Sequence, residues 1–211
     1  MFGQSLTVLP MRRTLALLAA AAALLVAPGC LPAPTGPATL IIGDSNTLGT
    51  AWGQPASWAD QLSCSPDVWA WGGYGVTKGT PYSSGQYLER DYAKILAGRT
   101  GDHVVIMLGT NDAQWGVMPS TELLNSISGN MIGAGAASVR WMTIPPVASN
   151  ATPQLKMYRE AWVQKAQGTP HVVDATGALG PVLLAQHRKD TIHLNAAGHA
   201  ALASYVEPLV C

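Results

Sequence analysis

The sequence predicts an α/β fold, a three-layer α/β/α sandwich around a flavodoxin-like, parallel, five-stranded sheet. Three observations point there. Five short apolar runs bounded by turn formers recur at wide spacing, longer helical stretches fill the gaps, and three of the runs end in polar, glycine-rich loops. Strands separated by helices do not pair as hairpins. They pair in parallel, with right-handed crossovers that lay helices on both faces. The 211 residues suit one domain with a full core.

The N-terminus stands apart from this pattern. Arg12-Arg13 precede thirteen apolar residues, Leu15 to Ala27, a run shorter than the ~20 that span a bilayer. A basic start, a short apolar run and then Pro28-Gly29-Cys30 read as a secretory signal over residues 1–29, with Met11 as an alternative start. No polar face repeats at helical spacing, which argues against a buried core helix. "VAPGC" resembles a bacterial lipobox, with Gly29 before Cys30 and Ala27 where leucine is usual. Cys30 is therefore a candidate lipid anchor, the alternative being cleavage a few residues later. Residues 30–38 form a Pro-rich tether to a domain over 39–211. The expected protein is exported: secreted, periplasmic or lipid-anchored at the cell surface. Without residues 1–29 the chain keeps ten basic and twelve acidic side chains, net −2, which gives no electrostatic footprint for nucleic acid. Membrane contact is expected only through a lipid at Cys30.

The strands follow in order. They are "ATLIIG" (38–43), "DVWAW" (67–71), "HVVIMLG" (103–109), "SVRWMTI" (138–144) and "HVVDA" (171–175). Helices are expected around 55–63, 85–97, 120–134 and 153–167, with a last one over "NAAGHAALASYVEPLV". In open parallel sheets, function gathers in the loops after the strands. The polar loops here are 43–49, 72–79 and 109–113.

The first loop, Gly43-Asp44-Ser45-Asn46, places a serine at a strand end. A serine hydroxyl is a poor nucleophile until a base takes its proton, and the base is usually a histidine oriented by a carboxylate. His103 and His171 sit at strand starts, and His187 and His199 flank a helix as solvated side chains. His193 differs: it lies three residues after Asp190, just before a helix that Asn195 caps. Donors for a developing oxyanion are offered by Asn111 in "LGTND" and by the glycines of "WGGYGVT" (71–77). Two rival patterns fail. Lys78 precedes Gly79, so "GGYGVTKGT" lacks the order of a phosphate loop. His187, Asp190 and His193 have metal-ligand spacing, but basic neighbours and no further cluster accompany them.

GDSN at 43–46, a glycine loop after the second strand, GTND at 109–112 and D-x-x-H at 190–193 together resemble the SGNH, or GDSL-type, hydrolase superfamily, in order and in spacing, from Thr39 to about Val206. The resemblance implies a nucleophile, Ser45, a general base and acid, His193, and an orienting carboxylate, Asp190. It implies an oxyanion hole made by the N–H groups of Ser45 and Gly75 with the side chain of Asn111. Gly75 is the match because Gly75-Val76-Thr77 falls on the family's Gly, small residue, Thr. Ala70 stands where the family often has Asn, which leaves Gly73 as the alternative donor. No metal or organic cofactor is implied, and the partner is a small ester or an acylated glycan.

The remaining expectations concern tryptophan and cysteine. Trp58, Trp141 and Trp162 read as core, while Trp69 and Trp71 share a strand face. Trp115, three residues past Asp112, and Trp52, seven past Ser45, are candidates to line the substrate pocket. Cys64 ends the helix after the first strand and Cys211 ends the last helix. Both helices run back from the active-site edge as neighbours on one face, so the pair is expected as a disulfide in an exported protein. The expected function is an exported serine esterase acting on carboxylic esters with short acyl groups. The alternatives are an O-acyltransferase on cell-envelope glycans with the same triad, or a noncatalytic lipid-tethered binding protein.

Overall fold

The computed structural model describes residues 38–48, 56–77 and 85–211. The signal, Cys30, the tether up to Pro37 and Trp52 lie outside the described residues. Four parallel strands, β1 (Thr39–Gly43), β2 (Asp67–Ala70), β3 (His103–Met107) and β4 (Ser138–Trp141), form one sheet in the order β2-β1-β3-β4. The register sets Ile41 beside Val68 on one side and Val105 on the other, with Val104 beside Val139.

The helices are α1 (Leu88–Ile95), α2 (Thr110–Gln114), α3 (Thr121–Gly133), α4 (Pro153–Gln167), α5 (Thr176–Leu179) and α6 (Ala196–Val210). Side-chain caps start three of them. Ser120 accepts from Leu123 N–H at 3.2 Å, Thr152 from Leu155 N–H at 3.2 Å, and Asn195 from Gly198 N–H at 3.0 Å.

The strand period of two divides the core into two layers. Leu40, Ile42, Val104 and Ile106 pack with Leu124, Ile127, Trp141 and Trp162 under α1, α3 and α4. Ile41, Val105 and Met107 face the opposite side with Trp58, Leu179, Leu202 and Val206. Trp58, Trp141 and Trp162 are core, as expected, and Trp141 meets Trp162 edge-on at 6.2 Å.

Several expected elements are shorter at their ends, and two do not form as a full strand or helix. The sheet has four strands, not five: run 171–175 reaches it at a single parallel bridge, Met142 to Val173. His171 takes φ +58°, which no strand residue can hold. Asp174 then turns its carboxylate onto the Thr143 hydroxyl (3.0 Å) and Thr176 N–H (2.9 Å), which starts α5. The helix expected over 55–63 is, among the described residues, one 3₁₀ turn, Ala59–Gln61. Ser57 N–H donates to the Asp60 carboxylate and Asp60 N–H to the Ser57 hydroxyl, while Leu62 at ψ 136° leaves the helical path. Cys64 and Cys211 are joined by a disulfide across 147 residues, with Cα atoms 5.6 Å apart.

Candidate active site

The sheet order puts β1 between β2 and β3, so the loops that leave these three strands meet at one edge. After Gly43 the chain closes into a tight turn, with Thr47 N–H and Leu48 N–H both donating to Asp44 C=O at 2.9 and 3.1 Å. A Cβ on Gly43 would overlap the Thr47 side chain, so the turn requires glycine there. The turn projects Ser45, whose Oγ lies 3.0 Å from His193 Nε2. The other imidazole nitrogen, Nδ1, lies 2.7 Å from Asp190 Oδ2. Asp190 Oδ1 accepts from the backbone N–H groups of Ile192 and His193, both at 2.8 Å. Burial pushes the Asp190 carboxyl upward, but these backbone bonds and the imidazole outweigh it and hold the group below the usual carboxylate range. Ser45, Asp190 and His193 are thus brought together, with the geometry for moving a proton from the serine to the imidazole.

Asn111 reaches the same edge from α2. Its helix starts at Gly109, which takes φ +124° and packs against the Trp162 indole. Asn111 Nδ2 donates to Tyr74 C=O at 3.0 Å and lies 3.5 Å from Asp44 Oδ2. The next residue, Asp112, holds the glycine loop. Its carboxylate accepts from Val76 N–H at 3.0 Å and from Thr77 N–H at 3.3 Å. Asp44 and Asp112 are fully buried, and burial pushes each up to about 6 against the backbone N–H groups that lower it.

A cavity of about 390 Å³ opens over Ser45 and His193, bordered by Gly72, Gly73, Asn111 and Gln114 with Ile192 on one wall. Gly75 is buried beside Tyr74, pairs in a parallel bridge with Tyr87, and accepts from Leu88 N–H at 3.1 Å. Of the two glycines considered from sequence, Gly73 borders this cavity, and Gly75 is not among the residues that line it. Trp115 follows Gln114 directly and is 42% exposed, at the end of α2 rather than in the cavity wall.

Four residues here carry no role in the sequence reading. Asp44 and Asp112 stand inside GDSN and GTND, where a buried acid between polar neighbours is the signal. Asn46 donates from Nδ2 to Ile192 C=O at 3.3 Å and accepts from Leu194 N–H at 3.1 Å. His199 corrects the expectation of a solvated side chain: it is 2% exposed, and its Nδ1 accepts from Trp58 N–H at 3.3 Å. Its place at the fourth position of an apolar helix face was the available sign. Burial drives its pKa down to about 4, with the nearby Asp60 opposing. His199 also lines a cavity of about 110 Å³ behind the imidazole with Asn46, Lys189 and Asp190.

A parallel sheet with a serine, a histidine and an asparagine gathered at its C-terminal edge fits a carboxylic ester hydrolase. The chain belongs to the GDSL-like lipase/acylhydrolase family, whose profile matches residues 41–201. No curated protein matches the sequence. Among solved structures, the chain is similar to Est24, a carbohydrate acetylesterase from Sinorhizobium meliloti, with a TM-score of 0.60 and 16% identity over 82% of this chain and 98% of that one. It is similar to the native aryl esterase of M. smegmatis, at 0.60 and 18% over 82% and 98%. It is also similar to LAE5, an alpha/beta hydrolase enzyme from the metagenome of Lake Arreo, Spain, at 0.63 and 18% over 83% and 95%.

Proposed function

We propose that the protein is an exported serine esterase that hydrolyses short-acyl carboxylic esters through an acyl-enzyme. The observation that carries this reading is the relay of two short contacts, Ser45 Oγ to His193 Nε2 at 3.0 Å and His193 Nδ1 to Asp190 at 2.7 Å. In the first half-reaction Ser45 Oγ bonds to the ester carbonyl carbon while its proton passes to His193 Nε2. Asp190 holds the ring and stabilises the imidazolium. The carbonyl oxygen gains charge opposite the Ser45 N–H, the Asn111 amide and a glycine-loop N–H, from Gly75 by family pattern or Gly73 by its place on the cavity. As the tetrahedral intermediate collapses, the alcohol leaves with the proton from His193. Water then repeats the sequence on the acyl-enzyme, giving its proton to His193 and releasing the acid and free Ser45.

The export half rests on Arg12-Arg13, the Leu15–Ala27 run and the Cys64–Cys211 disulfide, which suits an oxidising compartment. Cys30 is the proposed lipid attachment point if the signal is processed at the lipobox. The fold shared with a carbohydrate acetylesterase supports small acyl groups, on a small ester or an acylated glycan.

The test is a panel of p-nitrophenyl esters graded from acetate to dodecanoate, run on wild type, Ser45→Ala and His193→Ala. Acetate and butyrate should turn over fastest. Each substitution should remove activity almost completely, and the double substitution should cost no more than either alone. Substantial turnover by purified Ser45→Ala would overturn the mechanism. Adding an alcohol acceptor and analysing products separates hydrolysis from acyl transfer.

A further inference from the structure

We infer that Asn46 is the positioning residue that sets the distance between Ser45 and His193. The inference rests on the Ser45–His193 mechanism proposed above. Asn46 is covalently next to the serine and 1% exposed. Its carboxamide spans the histidine's two neighbours, donating to Ile192 C=O at 3.3 Å and accepting from Leu194 N–H at 3.1 Å. Its own N–H donates to Asp44 Oδ1 at 2.9 Å, so the side chain is anchored in the serine turn before it reaches the histidine loop.

The histidine loop's other bonds run within itself and to Ala148. Asp190 accepts from Ile192 and His193, and Lys189 N–H donates to His193 C=O at 2.9 Å. Thr191 C=O accepts from Ala148 N–H at 2.9 Å, a bond that does not involve the serine turn. Among the described residues, the side-chain bonds that join the serine turn to residues 189–194 are Ser45 to His193 and the two made by Asn46. Asp190 thus orients the imidazole within its loop, and Asn46 places that loop against the nucleophile. A reacting pair misplaced by about 1 Å loses on the order of 10²-fold in rate.

Two substitutions test this. Asn46→Leu keeps the branching and the number of heavy atoms, at a larger volume, and removes both bonds. Its kcat should fall roughly 30- to 100-fold with KM within about threefold, as expected for lost alignment rather than lost binding. Diisopropyl fluorophosphate gives a readout independent of ester binding: the Ser45 Oγ–P bond forms as P–F breaks and the proton passes to His193. Labelling of Asn46→Leu should slow by a similar factor. A kcat within threefold of wild type, or a loss confined to KM, overturns the inference. Absence of Ser45 labelling in wild type would instead overturn the serine mechanism itself.

Asn46→Asp covers the case in which Asn46→Leu does not fold. The carboxyl is isosteric with the amide. Ionised, it accepts from Leu194 N–H but opposes Ile192 C=O; protonated, it donates to that carbonyl again. The titratable groups around it are Asp44 on its own turn, Asp112 on α2, Lys189, Asp190 and His193 on the loop, and His199 on α6. The ratio of Asn46→Asp to wild-type kcat should be about 0.1 or lower at pH 8 and climb as pH falls. A ratio that stays flat with pH overturns the positioning role.

Discussion

Asn111 has two amide hydrogens and one well-placed neighbour. Tyr74 C=O takes one at 3.0 Å, and Asp44 lies at the limit of reach for the second, at 3.5 Å. In the proposed mechanism that second hydrogen donates to the developing oxyanion. Asn111→Ala should therefore lower kcat by about 10²–10³ with a much smaller change in KM, the usual effect of removing one such donor. A loss wholly in KM would make Asn111 a ground-state contact. His199 permits a pH prediction at the same scale. Its pKa falls from 6.5 to about 4 on folding, so the unfolded chain binds the proton more tightly in that window. The stability it contributes is present above pH 6.5 and lost as pH falls toward 4, by at most about 3 kcal/mol. Asp44 and Asp112 act oppositely. Their raised values stabilise the fold at low pH, and that contribution is lost as pH rises from 3.8 through about 6. The clean measurement is a difference between proteins. His199→Asn keeps an acceptor for Trp58 N–H without the titration, so urea midpoints of wild type should drop relative to this variant between pH 6.5 and 4. Parallel midpoints across that range would refute the assignment.

At the scale of elements, Gly109 joins β3 to α2 under two constraints. Its φ of +124° disfavours any side chain, and a Cβ would overlap the Trp162 indole. Gly109→Ala should thus lower the melting temperature and, by displacing α2, reduce kcat even at temperatures where the protein is folded. Gly129 is the contrast, an exposed position inside α3 where a Cβ would meet nothing within 4 Å. Gly129→Ala should raise stability by about 0.5–1 kcal/mol and leave kcat unchanged. Thermal melts and initial rates on the two variants separate these outcomes. The same elements show what was legible in the sequence. β1, β3 and α4 were readable because a buried parallel strand is a continuous apolar run and α4 has a capping threonine followed by proline. The residue types that meet around Ser45 were readable because each sits where a strand ends or a helix begins. What escaped was set by tertiary detail. Run 171–175 carries strand residues, yet the left-handed His171 and the Asp174 turn confine it to one bridge. The 55–63 segment has helical composition, but Ser57 and Asp60 close it into one turn. Asn46 and His199 bond to partners more than 140 residues away, and no local pattern names those partners.

For the whole molecule, the Cys64–Cys211 disulfide ties the segment just before β2 to the end of α6. The chain-entropy model gives a loop of this length up to about 5 kcal/mol, and measured gains are commonly smaller. Other bonds hold the same corner. Glu207 accepts from Ser63 N–H at 3.0 Å, the Thr39 hydroxyl donates to Val210 C=O at 3.3 Å, and Arg140 reaches Leu209 C=O. The folded state therefore keeps its α6 contacts when the disulfide opens, and the effect falls mainly on the unfolded chain, which gains freedom. The site is at the other edge of the sheet: α6 begins beside the His193 loop and ends at Cys211 next to the start of β1. Reduction, or Cys64→Ser with Cys211→Ser, should lower the melting temperature by roughly 5–10 °C, the shift about 2–3 kcal/mol produces in a domain of this size. Turnover of p-nitrophenyl acetate at 25 °C should stay within twofold of wild type. A melting temperature unchanged by reductant, with the free thiols verified by mass spectrometry, would show that the cross-link adds nothing to the bonds around it. A collapse of turnover at 25 °C would show that the far end of α6 governs the position of His193.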